Sequence, residues 1–235
     1  MNTSRTMKVV LGASLLTVTL QAALWSSPTH AEWYVSGQFG VALPSIAGGL
    51  SNVDINSSGF PPGTTMSDRS LATSALYGAK LGYFFPRVKW LGLQTEFFNT
   101  TPHIKQQSTT ITVPSAGSAT GVLAGDHLRV AMWAPLNVVL RYPYTRLQPY
   151  VAVGPGLFFA KVHTTQAGFE GSQTSTKIGL NAQAGLQYYL TRRVTVFGEG
   201  KFNLARFNFA ENDAQFGFDG TYKMFSLAVG IGYHF

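Results

Sequence analysis

The sequence contains no cysteine and few charged residues. Lys and Arg number 17 and Asp and Glu 10, so charged residues make up 11% of the 235-residue chain, against about 25% in ordinary soluble domains. The absence of cysteine excludes disulfides, thiol chemistry and metal sites with Cys ligands. The excess of 7 positive charges is spread too thinly along the chain to predict nucleic-acid binding. Aromatic residues make up 13% of the chain, which argues against disorder.

Long apolar runs are also absent beyond the N-terminus. A membrane-spanning helix needs about 20 consecutive apolar residues, and no such run follows residue 31. Residues 1–8 are basic and lack acids, residues 9–24 are mostly apolar, and Thr29-His30-Ala31 has the small-x-Ala form of a signal peptidase site. We therefore predict a signal peptide at 1–31 and a single domain at 32–235.

The remaining chain alternates between apolar and polar or small residues. In residues 177–190, for example, Ile178, Leu180 and Leu186 alternate with Asn181 and Gln183. This period of two is typical of β-strands that have one apolar face. Eight segments share the pattern: 33–41, 74–85, 91–97, 127–141, 150–159, 177–190, 194–204 and 225–235.

The segment at 127–141 is the least regular of the eight. Its alternation predicts that Leu128, Val130 and Met132 face outward and that Arg129 and Arg141 face inward. Trp133, Pro135 and Val139 are exceptions to this alternation. We keep a single alternating strand as the expectation here.

The connections between the segments alternate in length. Residues 42–73, 99–125, 163–175 and 207–220 form long connections, and residues 86–90, 143–147 and 191–193 form short ones. Long extracellular loops and short periplasmic turns are typical of outer-membrane barrels. A barrel wall in lipid must close, because lipid offers no partner to unpaired backbone groups. We predict an all-β fold, a closed antiparallel up-and-down transmembrane β-barrel of eight strands. Strand character at 109–113 has two interpretations: the barrel extends above the membrane there, or an extra hairpin makes ten strands.

Several motifs resemble those of a known family. Residues 32–40 (EWYVSGQFG), 148–156 (QPYVAVGPG), 185–191 (GLQYYLT) and 229–235 (VGIGYHF) are similar to the Gram-negative outer-membrane β-barrel family, typified by the OmpA-like transmembrane domain and the opacity-type proteins of the porin family. The resemblance implies export through the periplasm to the outer membrane, with periplasmic chaperones and the barrel-assembly machinery as partners. In that family an aromatic C-terminal residue on an alternating last strand serves as the assembly signal, which Ile231, Tyr233 and Phe235 match position by position.

Charged residues on the polar faces are expected to fill the lumen. The predicted lumen ion network consists of Lys80, Glu96, Arg129, Arg141, Lys177, Glu199 and Lys201. An eight-stranded barrel is just wide enough inside for its own side chains, and buried ions need partners. Two interpretations remain open: a plug that holds the barrel together, or a narrow gated pore that weakly favours anions.

Catalysis and cofactor binding lack support in the sequence. The histidines of the predicted domain do not form the His-x-Ser-Asn arrangement of outer-membrane deacylases, and Asp126-His127 is the best available acid–base pair. We therefore predict no enzyme activity, no cofactor and no metal.

The predicted function is a structural or surface-interaction role in the cell envelope. A small porin-like channel for ions or small solutes is the alternative, and a lipid-modifying enzyme ranks below it. The expected partners are outer-membrane lipids and a host or phage ligand at the extracellular loops, and the expected state is a monomer. The short turns carry only basic charges, which serve either attachment to anionic headgroups or solvation of the turns.

Overall fold

The computed structural model describes residues 32–166, 169–212 and 216–235. The predicted signal peptide at 1–31 lies outside the described residues. Eight long strands form the wall: β1 (Glu32–Leu43), β4 (Ser74–Phe85), β5 (Val88–Thr100), β8 (His127–Arg141), β9 (Leu147–Gln166), β10 (Phe169–Tyr189), β11 (Val194–Phe209) and β12 (Phe218–His234). Shorter elements lie in the connections: α1 (Pro44–Ala47), β2 (Gly49–Ile55), β3 (Thr65–Met66), β6 (Gln107–Val113) and β7 (Gly117–Leu123).

The eight long strands close into a barrel. They are hydrogen-bonded in the order β1-β4-β5-β8-β9-β10-β11-β12, and β12 pairs with β1. Every pairing is antiparallel, and the closing pair has Ser36 opposite Gly232. The predicted fold class and the count of eight wall strands are confirmed. No helix among the described residues is long and apolar enough to cross a membrane.

The strand character at 109–113 belongs to a hairpin outside the wall. β6 contains this segment and pairs with β7, while β3 joins β6 to β2 and β2 pairs with the outer end of β12. These four short strands therefore extend the sheet above the membrane, and the ten-strand alternative is wrong. The connection predicted at 163–175 is mostly strand as well, because β9 and β10 continue upward as a long hairpin.

The outer face of the wall is apolar, as the alternation predicts. Leu180, Leu186, Val229 and Ile231 are all exposed on it, with 40% to 64% of their surface accessible. Aromatic residues lie on the outer face near the short turns: Trp33, Trp90, Tyr142, Tyr188 and Tyr233. Others lie on it toward the long connections: Phe97, Trp133, Phe159 and Phe202. Two such aromatic levels are typical of a barrel that crosses a lipid bilayer.

A β-bulge in β8 changes which residues of this strand face inward. Gln94 of β5 pairs with Asn137, whereas Glu96 pairs with Ala134, so Pro135 and Leu136 together oppose Thr95. An extra residue inverts the alternation on one side of a bulge. The prediction that Leu128, Val130 and Met132 face outward is therefore wrong; these residues are at most 2% exposed and line the interior.

Candidate functional site

Two lysines and two glutamates form a neutral cluster in the middle of the lumen. Lys80 Nζ lies 2.6 and 2.5 Å from the two carboxylate oxygens of Glu199. Lys201 Nζ lies 3.0 Å from Glu199 Oε1 and also contacts Glu96 Oε1. All four residues are at most 4% exposed. The charges balance within this cluster, which we call the central ion cluster.

Amides and a phenol complete the coordination of the two carboxylates. Gln38 Nε2 donates to Glu96 Oε1 at 2.7 Å, and Gln183 Nε2 donates to Glu96 Oε2 at 3.2 Å. Tyr150 donates its hydroxyl to Glu199 Oε2 at 2.6 Å. Removing ions from water is costly unless further hydrogen bonds satisfy them, and these donors supply such bonds.

The strands bring these residues together from distant parts of the sequence. Lys80 and Glu96 are opposite each other on β4 and β5, whereas Glu199 and Lys201 are two residues apart on β11 and therefore share a face. Lys201 also lies over the Phe98 ring, 5.5 Å from its centroid. The cluster thus depends on closure of the barrel, because only closure brings β11 across the lumen from β4 and β5.

A second polar cluster lies at the periplasmic rim and contains Arg141. Arg141 forms an ion pair with Glu32, and its guanidinium carbon lies 3.5 Å from the centroid of the Phe84 ring. Glu32 Oε1 also accepts a hydrogen bond from the Tyr189 hydroxyl at 2.7 Å and lies 2.6 Å from His234 Nδ1. Arg141 therefore faces inward, as predicted, but it belongs to this rim cluster and not to the central one.

Glu32, Tyr189 and His234 are not members of the predicted lumen ion network. The alternation nevertheless indicates where two of these residues lie. Glu32 is two residues from Tyr34, and His234 is two residues from Gly232, so each lies on the predicted polar face of its strand. Glu32 was overlooked because it lies at the first position of the predicted domain, before the alternation is established.

Two residues of the predicted lumen network are exposed to solvent. Arg129 lies above the β8 bulge, where the alternation is inverted, so it projects from the outer face. Lys177 lies just above Gly179 and Ala205, the last residue pair between β10 and β11, and its side chain reaches solvent there. The placement of Arg129 and Lys177 in the lumen is therefore wrong.

The extracellular half of the lumen is filled by an apolar core. Met132, Phe158 and Tyr222 are at most 1% exposed inside the barrel. Leu50 and Val53 of β2 and Met66 of β3 continue the same core above the wall. An interior cavity beside the central ion cluster measures about 20 Å³, room for about one water molecule. On the extracellular side of the cluster, the described apolar side chains thus fill the lumen.

Asp126 and His127, the candidate acid–base pair, each contact other side chains. Asp126 accepts a hydrogen bond from the Thr164 hydroxyl. The His127 ring packs edge-on against His103, with 4.8 Å between the ring centroids. Among the described residues, no group of three or more His, Asp and Glu side chains is arranged to hold a metal ion.

The family follows from a match over nearly the whole chain. A family model described as an outer membrane protein beta-barrel domain matches residues 10–235. The chain therefore belongs to this family, and it is a β-barrel protein of the outer membrane of a Gram-negative bacterium. No curated protein is similar enough in sequence to count as a relative.

Solved structures show the same fold at low sequence identity. The outer membrane protein OprG from Pseudomonas aeruginosa is 16% identical, with a TM-score of 0.56 over 87% of this chain and 96% of that one. Neisserial surface protein A (NspA) is 12% identical, with a TM-score of 0.50 over 88% of this chain and 99% of that one. At these identities the likeness concerns the fold alone.

Proposed function

We propose that this protein is a non-conducting outer-membrane barrel with a structural role in the envelope, and that its extracellular sheet acts as an interaction surface. The observation that carries the proposal is the filled lumen, in which a neutral ion cluster lies beneath an apolar core. Ions cannot cross such an interior without breaking buried ion pairs, which is costly in a low dielectric. No enzyme activity is part of the proposal.

The first test is ion conductance of the purified barrel in planar bilayers. We expect no discrete conductance steps at low voltage, while a general porin inserted in the same membrane serves as the positive control. Stable, resolved openings of the wild-type protein would contradict the closed lumen.

The ordered strands above the membrane favour the interaction role. β2, β3, β6 and β7 continue the sheet from β12, and contacts between connections hold them in place. The Ser58 N–H, for example, donates to Glu211 Oε2 at 3.0 Å, and this bond holds the pKa of the Glu211 carboxyl below its usual value. A preorganised surface loses less conformational entropy on binding.

The outermost strand, β7, offers a specific binding edge. Within the described part of the chain, β7 pairs only with β6, and residues 117–122 are all exposed. It carries no charge and no proline, the devices that usually protect an edge strand. An extended peptide that adds a strand to β7 is therefore the ligand that this edge fits best.

Charged substitutions on the edge strand test this interaction role. Lysines at exposed edge positions disfavour strand addition, so Ser118→Lys/Val122→Lys should abolish binding to an array of extended peptides. The matched control is Thr112→Lys/Ser108→Lys, because these residues lie directly opposite Ser118 and Val122 on the internal strand β6. Equal binding by both variants, or no binding by the wild type, would contradict the proposal.

Passage of small solutes is a second candidate, favoured by one feature of the wall. The ladder between β10 and β11 ends at Gly179 and Ala205 although both strands continue upward, and residues 176–178 are exposed there. This break would give solutes a lateral route at the extracellular end. Uptake of small solutes into protein-containing liposomes, compared with empty ones, would favour this candidate over the closed barrel.

A further inference from the structure

Two basic residues face each other on the outer surface of the wall. Arg129 of β8 and Lys161 of β9 are directly opposite and both are exposed. The next pair on the same face, toward the extracellular end, is His127 and His163. Below the basic pair, toward the membrane, Phe159 lies opposite Ala131. The outer face of these two strands therefore changes from aromatic to basic within two residues.

The height of the basic pair corresponds to the lipid headgroups. Arg129 precedes Arg141, at the periplasmic rim, by 12 residues. At about 3.4 Å per residue and a tilt of about 40°, this separation is roughly 30 Å along the membrane normal. The apolar band of such barrels is about 25 Å tall. Arg129 and Lys161 thus lie just above the hydrocarbon, on the extracellular side.

The two cations have no counter-ion among the described residues. No described carboxylate forms an ion pair with either residue, and Asp126 bonds to the buried Thr164 instead. Like charges directly opposite each other on neighbouring strands destabilise the pair. An external anion would remove this repulsion.

The guanidinium of Arg129 is also held in position. Its Nε donates to Asn99 Oδ1 at 2.8 Å, and Asn99 Nδ2 in turn donates to the Tyr77 hydroxyl at 2.8 Å. This arrangement fixes one edge of the guanidinium, while its terminal NH groups remain available to bind phosphate through two parallel hydrogen bonds. An arginine that is held in position beside a lysine is suited to phosphate recognition.

We propose that Arg129 and Lys161 bind a phosphate group of a phosphorylated glycolipid in the outer leaflet. The phosphate lies between the two cations, and the acyl chains run down the wall over Phe159 and Trp133. The aromatic level directly beneath favours a lipid over a soluble anion, because both parts of an amphiphile then have a matching surface.

Native mass spectrometry of the folded protein with purified lipid A tests the proposal. The wild type and Arg129→Gln/Lys161→Gln are titrated in detergent with bisphosphorylated hexa-acyl lipid A. Each basic residue near an anionic lipid contributes about a fivefold gain in affinity, so the variant should bind roughly 25-fold more weakly. The control is Arg87→Gln/Arg192→Gln, which removes the same charge from exposed turns at the periplasmic end and should bind like the wild type.

Two further ligands distinguish the lipid from its parts. Fully dephosphorylated lipid A should bind the wild type and Arg129→Gln/Lys161→Gln equally and weakly. Inorganic phosphate should displace bisphosphorylated lipid A only at concentrations far above that of the lipid. Equal affinity of the variant and the wild type for bisphosphorylated lipid A, or displacement by phosphate at equal concentration, would overturn the proposal.

Discussion

At the scale of single residues, the charge balance of the central ion cluster depends on Lys201. Its ammonium contacts Glu96 and Glu199 together and is fully buried. Within this cluster, Lys80 contacts Glu199 and Glu96 contacts Lys201, whereas Glu199 contacts both lysines. Loss of Lys201 therefore leaves Glu96 without a cation in a dry environment.

Replacement of Lys201 by methionine should be strongly destabilising. Removal of one partner from a buried ion pair costs about 3–5 kcal/mol because an uncompensated charge remains. Urea unfolding of Lys201→Met in lipid vesicles, followed by tryptophan fluorescence, measures the loss. Lys105→Met, at an exposed loop position, should change the free energy of unfolding by no more than about 0.5 kcal/mol.

A double variant separates charge imbalance from lost packing. Lys201→Met/Glu96→Gln leaves the Lys80–Glu199 pair intact and restores neutrality, so it should recover most of the stability lost in Lys201→Met. If the double variant is as unstable as the single one, the electrostatic explanation is wrong.

Whether the orientation of a side chain could be predicted depended on how regular the alternation of its strand is. Lys80, Glu96, Glu199 and Lys201 lie in regular alternating segments, so their inward orientation follows from the sequence. Which residues pair across the lumen does not follow, because pairing depends on the register and closure of strands distant in the chain. Arg129 was misplaced because the alternation of its strand is inverted by a bulge.

At the scale of elements, the side chain of Thr95 stabilises the bulge in β8. The Thr95 hydroxyl donates to the carbonyl oxygen of Ala134 at 3.0 Å and accepts from Trp133 Nε1 at 3.0 Å. Pro135 lacks the N–H that a regular ladder would require and is therefore suited to the bulge. Pro135 in an otherwise apolar run was the sequence signal for this irregularity, but it does not indicate which residues oppose each other.

Substitution of Thr95 by valine should weaken this region. The change keeps the side-chain shape but leaves the Ala134 carbonyl and the Trp133 indole N–H without their partner, which costs about 1–3 kcal/mol in a buried or lipid environment. The same substitution at Thr174, an exposed position of β10, serves as the control. Equal unfolding midpoints for Thr95→Val and Thr174→Val in vesicles would argue against a role of Thr95 in the bulge.

At the scale of the whole molecule, the two ends of the chain meet at one seam. Phe235 N–H donates to the carbonyl oxygen of Trp33 at 2.9 Å, and the Phe235 ring packs edge-on against Tyr233 at 5.1 Å. Within the rim cluster, Glu32 and His234 join β1 to β12. The last residues thus complete the closure of the wall.

Deletion of Phe235 should reduce the amount of assembled barrel. The deletion removes a seam hydrogen bond and the terminal aromatic residue that resembles the family's assembly signal. The folded fraction is measured in outer-membrane extracts from the difference in gel mobility between unheated and boiled samples. Phe235→Tyr keeps an aromatic ring and should assemble normally, whereas normal levels of the deletion protein would count against a terminal signal.

The dependence of the central ion cluster on closure has a consequence for biogenesis. Lys80 and Glu96 are on early strands, whereas Glu199 and Lys201 are on β11, more than 100 residues later in the chain. Until β11 is in place, Lys80 and Glu96, which are opposite each other on β4 and β5, lack the ion-pair partners that Glu199 and Lys201 provide. A half-built sheet that entered the bilayer would therefore expose ionised groups to acyl chains, so insertion and completion of the cylinder must proceed together.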